Sequence, residues 1–296
     1  MADLRDWPAA TAGLQPPVRL AVVGDPIAHS ASPPMQNAAL AEAGIDARYT
    51  RLHVRPDELA EALGLFGPAR FLGLNVTLPH KTAVLPLLDA LDPHAALLGA
   101  VNTVRVERDG SLRGFNTDGP GFSRALLAEF GLSLRGTRVL ILGAGGGAGR
   151  ALAAQCAVEG CGRLRLVNRT FGKVESLAGE LRGRFGVETA AVPWEAAALS
   201  DELREIDLIV NTSSLGLKAG DPSPLPADVL PPGVNVFDTV YRRDGTPTPL
   251  VAAAQMASVP VVGGQALLLH QGALAFEHWF GCPAPLEAMR RGLKAV

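Results

Sequence analysis

A chain of 296 residues with 48% hydrophobic and 19% charged residues has the balance of a folded globular protein and the length for two domains, each with its own core. Its 27 basic and 29 acidic residues give a formal charge of −2, with no long Lys/Arg run to suit nucleic acid or an anionic membrane. Cys156, Cys161 and Cys282 are odd in number and lack CxxC spacing, which argues against a disulfide framework and a cysteine metal site. No 18-residue apolar run is present and the first residues do not resemble a signal peptide, so the expected location is cytoplasmic.

Residues 1–17 carry Pro8, Gly13, Pro16 and Pro17 without a clear period and read as a loose leader. Val18–Gly24 is an apolar strand ending in a glycine turn. Ser32 then reads as a helix N-cap with Pro33 at the first helical position, the helix running to about Ala43. A strand over Tyr49–Val54 precedes a helix opened by Pro56-Asp57-Glu58. Asp92-Pro93 opens another helix, Gly99–Val104 turns back into a strand, and Gly110 sits in a hairpin turn. Phe115–Phe122 reads as a boundary loop leading into a helix over Ser123–Phe130. Arg138–Leu142 is then a continuous apolar strand of the kind buried on both faces of a parallel sheet. Strands near 163–168, 207–211, 234–238 and 259–262 alternate with helical stretches, as a doubly wound sheet requires. Gly264–Phe280 has helical apolar spacing, and a last helix begins near Pro285.

Chemistry concentrates first at Phe71-Leu72-Gly73-Leu74-Asn75-Val76-Thr77-Leu78-Pro79-His80-Lys81. A short apolar strand runs into Pro79, which fits the first turn of a helix. Lys81 thus lies near a helix N-terminus beyond the carboxyl end of a strand, where open α/β sheets bind ligands. The helix dipole disfavours an ammonium there, a placement suited to a lysine that exchanges a proton. Asp118 is its candidate partner, a plain salt bridge being the alternative.

A second centre is Gly143-Ala144-Gly145-Gly146-Gly147-Ala148-Gly149-Arg150, between the apolar strand and a helix. In the dinucleotide frame Gly143 makes the tight turn, Gly145 lets backbone approach a pyrophosphate, and Ala148 allows close helix packing. The next strand ends in Val167-Asn168-Arg169-Thr170, with Lys173 following, where a cofactor with a free 2′-hydroxyl would meet an acid. Arg169 can stack on adenine and pair with a 2′-phosphate, and Lys173 adds charge. NADP(H) is therefore expected over NAD(H), against the alternative of two solvated cations.

From about Leu20 onward the chain resembles the shikimate dehydrogenase family. The matching stretches are Gly24-Asp25-Pro26-Ile27-Ala28-His29-Ser30-Ala31-Ser32-Pro33, Asn75–Lys81, Gly99-Ala100-Val101-Asn102-Thr103 and Asn116-Thr117-Asp118-Gly119. The glycine loop, Asn168-Arg169-Thr170, Asp238-Thr239-Val240-Tyr241, Thr246–Leu250, and Gln271 with Ala275–Trp279 continue the series. The resemblance implies reversible NADPH-dependent reduction of 3-dehydroshikimate to shikimate, with Lys81 and Asp118 as the catalytic dyad. It implies that Ser30, Ser32, Thr77, Asn102, Tyr241 and Gln271 hold the substrate. Cofactor contacts are implied at Gly143, Ala144, Gly145, Gly146, Gly147, Ala148, Asn168, Arg169, Thr170, Lys173, Ser213, Ser214 and Gly264. Lys173 stands where the family often has arginine, which reduces a bidentate grip to a point charge.

The expected fold is α/β: an N-terminal α/β substrate domain over 18–120, completed by the C-terminal helices 264–296, and a doubly wound Rossmann NADP-binding domain over 121–263. The active site is expected in the interdomain cleft, with no metal. The expected partner is the small-molecule substrate (shikimate or 3-dehydroshikimate), with no nucleic acid and no membrane, and a homodimer as the candidate assembly. The rival readings are a quinate/shikimate or aminoshikimate dehydrogenase, and a non-catalytic sensor of shikimate-like ligands.

Overall fold

The computed structural model describes every residue except 1, 4, 5, 65, 67–70, 243, 295 and 296. The strands are β1 (Ala2–Asp3), β2 (Val18–Gly24), β3 (Arg48–His53), β4 (Gly73–Val76), β5 (Ala90–Leu91), β6 (Thr103–Val106), β7 (Leu112–Phe115), β8 (Arg138–Leu142), β9 (Arg163–Val167), β10 (Thr189–Val192), β11 (Leu208–Asn211), β12 (Asn235–Asp238) and β13 (Val261–Val262). The helices are α1 (Trp7–Thr11), α2 (Ser32–Glu42), α3 (Leu59–Gly64), α4 (His80–Ala83), α5 (Pro93–Leu98), α6 (Asp118–Phe130), α7 (Gly147–Val158), α8 (Phe171–Phe185), α9 (Ala196–Leu203), α10 (Pro249–Met256), α11 (Gln265–Phe280) and α12 (Leu286–Lys294).

Two compact units divide the chain: Met1–Gly121 with Leu269–Val296, and Phe122–Leu268. The first holds a seven-stranded sheet in the order β1-β3-β2-β4-β6-β7-β5. The ladders from β1 to β4 are parallel, and β6 pairs antiparallel with both β4 and β7. Ala21, Val23, Leu52, Leu74, Val76 and Val104 build its core. Helix α12 lies so close to α2 that a Cβ on Gly292 would come within 2.5 Å of the Pro34 carbonyl oxygen.

The second unit is a six-stranded sheet ordered β10-β9-β8-β11-β12-β13 with every ladder parallel. Counted from β8, that order is 3-2-1-4-5-6, the doubly wound dinucleotide fold. Val139–Leu142 are buried on both faces, which explains the unbroken apolar run.

Several local expectations are corrected. The leader is not loose where it is described: β1 pairs with β3, and buried Trp7 stacks on Phe71 at 5.0 Å between ring centroids. Burial of a large aromatic orders a segment whose own pattern is weak; its residues 1, 4 and 5 lie outside the described residues. Helix α6 begins at Asp118, not Ser123, because the Asn116 side chain accepts the Asp118 and Gly119 amides at 3.1 and 3.3 Å. That cap overrides the loop-like Gly119-Pro120-Gly121, whose proline needs no partner in a first turn. Ser32 is the first helical residue and makes no side-chain cap. Pro79 occupies the N-cap of α4 and not its first turn. Strand β10, absent from the sequence reading, is an edge strand of four residues with little alternation.

Candidate active site

In the first unit β4 delivers the chain to α4, and Lys81 is the second residue of that helix. The Val101 amide donates to the Lys81 carbonyl at 2.9 Å, fixing the helix to the segment before β6. Gly24 is required beside this turn, since a Cβ there would lie 2.5 Å from Thr77 Cγ2 and 3.0 Å from the Leu78 carbonyl oxygen. Lys81 Nζ donates to Asp118 Oδ2 at 2.5 Å; the two side chains are 27% and 17% exposed, open enough to reach a ligand. Asp118 opens the 13-residue α6, where the helix dipole favours a carboxylate.

Asn102 supports the other carboxylate oxygen. Its Nδ2 donates to Asp118 Oδ1 at 2.9 Å and to Thr117 Oγ1 at 2.9 Å, and lies 3.4 Å from Gln271 Oε1. The orientation of this amide is determined, because the Thr117 backbone N–H donates to Asn102 Oδ1 at 2.7 Å. A backbone N–H can only donate, so the carbonyl must face it and the NH2 must face Asp118. Lys81, Asp118, Asn102 and Gln271 are thus brought into one hydrogen-bonded group.

Ser30 and Ser32 flank the start of α2. Ser30 Oγ accepts the Ser32 amide at 3.3 Å, while Arg51 grips the Ser30 carbonyl with Nε at 2.9 Å and Nη2 at 2.6 Å. Thr77 is half-buried just beyond β4, its amide donating to the Val23 carbonyl at 2.9 Å. Tyr241 belongs to the second unit and is half-buried there. His80 is buried, with Nε2 donating to the Val54 carbonyl at 2.7 Å, a local structural bond.

Sequence reasoning assigned no role to Tyr49, Asn75, Thr103 or Thr117, which join this group through buried hydrogen bonds. The available signal was Asn75 itself: an amide inside an otherwise apolar buried strand must find partners.

In the second unit Gly143 has φ +81°, and a Cβ on it would come within 2.5 Å of the Ser213 amide nitrogen. A Cβ on Gly145 would press on the Asn168 side chain at 2.8 Å. Gly146 is the N-cap of the 12-residue α7. The role given to Ala148 is corrected: Ala148 is exposed, and the close-packed residue is Gly149, whose Cβ would lie 2.6 Å from both Ala144 Cα and the Gly143 carbonyl oxygen. The helix starts at Gly147, so position 149 and not 148 turns onto the Gly143–Ala144 turn. Gly264 is also a packing glycine, its Cβ position being 2.2 Å from the Thr239 carbonyl oxygen.

At the end of β9, Asn168 Nδ2 donates to the Thr170 carbonyl at 3.1 Å, and Arg169, Thr170 and Lys173 are exposed. Ser213 Oγ donates to Asn211 Oδ1 at 2.7 Å and accepts the Leu215 amide at 3.2 Å, and Ser214 is exposed. Asp238, fully buried, accepts from Asn211 Nδ2 at 2.9 Å, the Val240 amide at 3.0 Å and the Thr248 hydroxyl. Burial pushes its pKa above the ordinary aspartate value against the pull of those donors. The donor set fits a phosphorylated dinucleotide: a glycine turn at a helix N-terminus for the pyrophosphate, and exposed Arg169 and Lys173 without an acid at the strand end. Among the described residues no group of three or more His, Cys, Asp or Glu side chains is placed to hold a metal ion, and no helix is long and apolar enough to cross a membrane.

Residues 22–104 match the family model for the shikimate dehydrogenase substrate binding domain, and residues 267–294 that for the shikimate 5'-dehydrogenase C-terminal domain. Among solved structures, the shikimate 5-dehydrogenase of Thermus thermophilus, in complex with NADP(H) and shikimate, has 38% identity and a TM-score of 0.80 over 94% of this chain and 99% of that one. The ligand-free 5-ketofructose reductase of a Gluconobacter strain has 30% identity and a TM-score of 0.84 over 94% of this chain and 98% of its own. The shikimate dehydrogenase (NADP(+)) of Methanopyrus kandleri is 42% identical over 274 residues, 92% of this chain and 93% of that protein. With that identity over nearly its whole length, and with both terminal family models matched, the chain belongs to the shikimate dehydrogenase family.

Proposed function

We propose that the chain catalyses the reversible NADPH-dependent reduction of 3-dehydroshikimate to shikimate. The first unit takes the substrate and the second takes NADP. NADPH, when bound, supplies the hydride. The observation that supports the residue roles is the Lys81–Asp118 contact with Asn102 held behind it.

As hydride reaches the carbonyl carbon, charge develops on the carbonyl oxygen and a proton must follow. Lys81 Nζ supplies that proton, and Asp118 Oδ2 keeps the ammonium aimed and balances its charge. In the reverse direction the same pair takes the proton from the hydroxyl as hydride leaves. Asn102, Gln271, Ser30, Ser32, Thr77 and Tyr241 bind the carboxylate and hydroxyls. Their neutral donors and acceptors match a polyol and reject analogues lacking a hydroxyl. The glycine turn holds the pyrophosphate, and Arg169 with Lys173 holds the 2′-phosphate. A cytoplasmic location and a homodimer belong to the same reading; free, unpaired cysteines favour the first, and sedimentation tests the second.

Initial rates with shikimate and quinate, each with NADP and with NAD, test the reading. Fast turnover confined to shikimate and NADP is the expected result. Equal quinate or NAD rates would refute the specificity, and ligand binding without any turnover would turn the reading to a sensor.

A further inference from the structure

Behind the Lys81–Asp118 contact runs a buried chain of polar side chains whose two amides are oriented by two backbone groups. The Asn102 backbone carbonyl can only accept, and Asn75 Nδ2 lies 3.1 Å from it and 3.0 Å from Thr103 Oγ1. Asn75 therefore presents its NH2 to that side and its Oδ1 to the other, where Tyr49 O–H must be the donor at 2.7 Å. Thr103 Oγ1, taking the Asn75 proton, lies 3.2 Å from Asn102 Oδ1 and from Thr117 Oγ1. At the far end the Thr117 amide fixes Asn102, whose NH2 reaches Asp118.

Tyr49 is held at the near end from several sides. Its backbone amide and carbonyl are both bonded by the Asn37 side chain of α2, at 2.8 and 2.9 Å. Its ring lies 6.0 Å from that of Trp279, and the residue is 1% exposed. Burial raises its pKa well above the ordinary phenol value, against the pull of a hydrogen bond with the Ser32 side chain and the nearby charge of Arg51, so it stays a donor. A buried phenol this constrained supplies the donor to Asn75 Oδ1 and holds the amide from that side.

We propose that Tyr49 is a positioning residue for the reaction, acting through Asn75 and Thr103 to hold Asn102 on Asp118. Without its hydroxyl, Asn75 Oδ1 is buried without a donor. Asn75 keeps its orientation against the Asn102 carbonyl but is no longer held from the other side, so its grip on Thr103 Oγ1, and through it on Asn102, loosens. The inference rests on the reaction assigned above, since turnover is one of its readouts.

The test is Tyr49→Phe, which keeps the ring packing, with Thr103→Val as a second break in the same chain. Either should lower kcat for shikimate about tenfold, the rate equivalent of one lost hydrogen bond, and leave the KM for NADP unchanged. In an Asn102→Ala background the same substitutions should change kcat by less than about twofold, because their route is already cut. Equal losses in both backgrounds would overturn the inference. A second readout needs no turnover: solvent exchange of the Asn102 side-chain NH2, followed by 15N NMR, should accelerate about tenfold in Tyr49→Phe. Unchanged exchange overturns the inference even if the wild type proves inactive on shikimate. Inactivity of the wild type with accelerated exchange would instead refute the substrate assignment alone.

Discussion

Gly149→Ala tests the packing that carries the phosphate loop. The added methyl carbon would sit 2.6 Å from Ala144 Cα, 2.6 Å from the Gly143 carbonyl oxygen and 2.7 Å from Thr212 Oγ1. Two of those atoms are backbone of the glycine turn and cannot rotate away. An ordinary carbon contact begins near about 3.5 Å, so α7 must rise by roughly 1 Å or the turn must open. Overpacking of this kind costs about 1–3 kcal/mol, and at the midpoint, about 2 kcal/mol would lower Tm by roughly 4–8 °C for a unit of this size. The same displacement moves the helix N-terminus away from the pyrophosphate, so the KM for NADP should rise about tenfold while the KM for shikimate holds. Gly179→Ala is the matched control: in α8 a Cβ at that position meets nothing within 4 Å. There alanine should stabilise by about 0.5–1 kcal/mol through helix propensity. Calorimetry and initial rates on both variants decide. If Gly149→Ala unfolds with the wild type and binds NADP unchanged, the packing argument fails.

Lys81→Ala should cut kcat by about 10²–10⁴ yet leave shikimate affinity within a few-fold by titration calorimetry; retained turnover would remove Lys81 from proton transfer. Arg169→Ala should raise the KM for NADP about 10- to 100-fold while changing that for NAD little, as loss of a charge-assisted phosphate contact requires; equal effects on both cofactors would place the arginine elsewhere. Asp238, whose pKa is raised in the folded state, binds more protons folded than unfolded between its ordinary value and the raised one. Its contribution to stability is therefore full below the unfolded pKa and is lost as pH rises through the folded one. Denaturant titrations from pH 4 to 7 should show Asp238→Asn gaining on the wild type as pH rises, and a constant gap would contradict the burial argument.

Short-range physics made much of the chain legible in advance. The buried strand β8, the turn at Gly143, the Asp92 cap that accepts the His94 amide at 2.9 Å, and the left-handed Gly99 after α5 all depend on residues within a few positions of one another. The candidate site was legible as a set of motifs, with Asp118 named as the candidate partner of Lys81 although the two lie 37 positions apart, and with their role as a catalytic dyad coming from the resemblance. Tertiary structure decided what distant partners decide. Trp7 ordered the leader through Phe71, and Asn116, bonded to the Ala100 carbonyl at 3.0 Å, started α6 early enough to place Asp118 in its first turn. The helix start at Gly147 moved the close-packed position from Ala148 to Gly149. Pairing with β9 made an edge strand of residues whose own alternation is weak. The chain from Tyr49 to Asp118 required four separate segments to meet, because the direction of each buried hydrogen bond follows from the neighbour it meets and not from the residue alone.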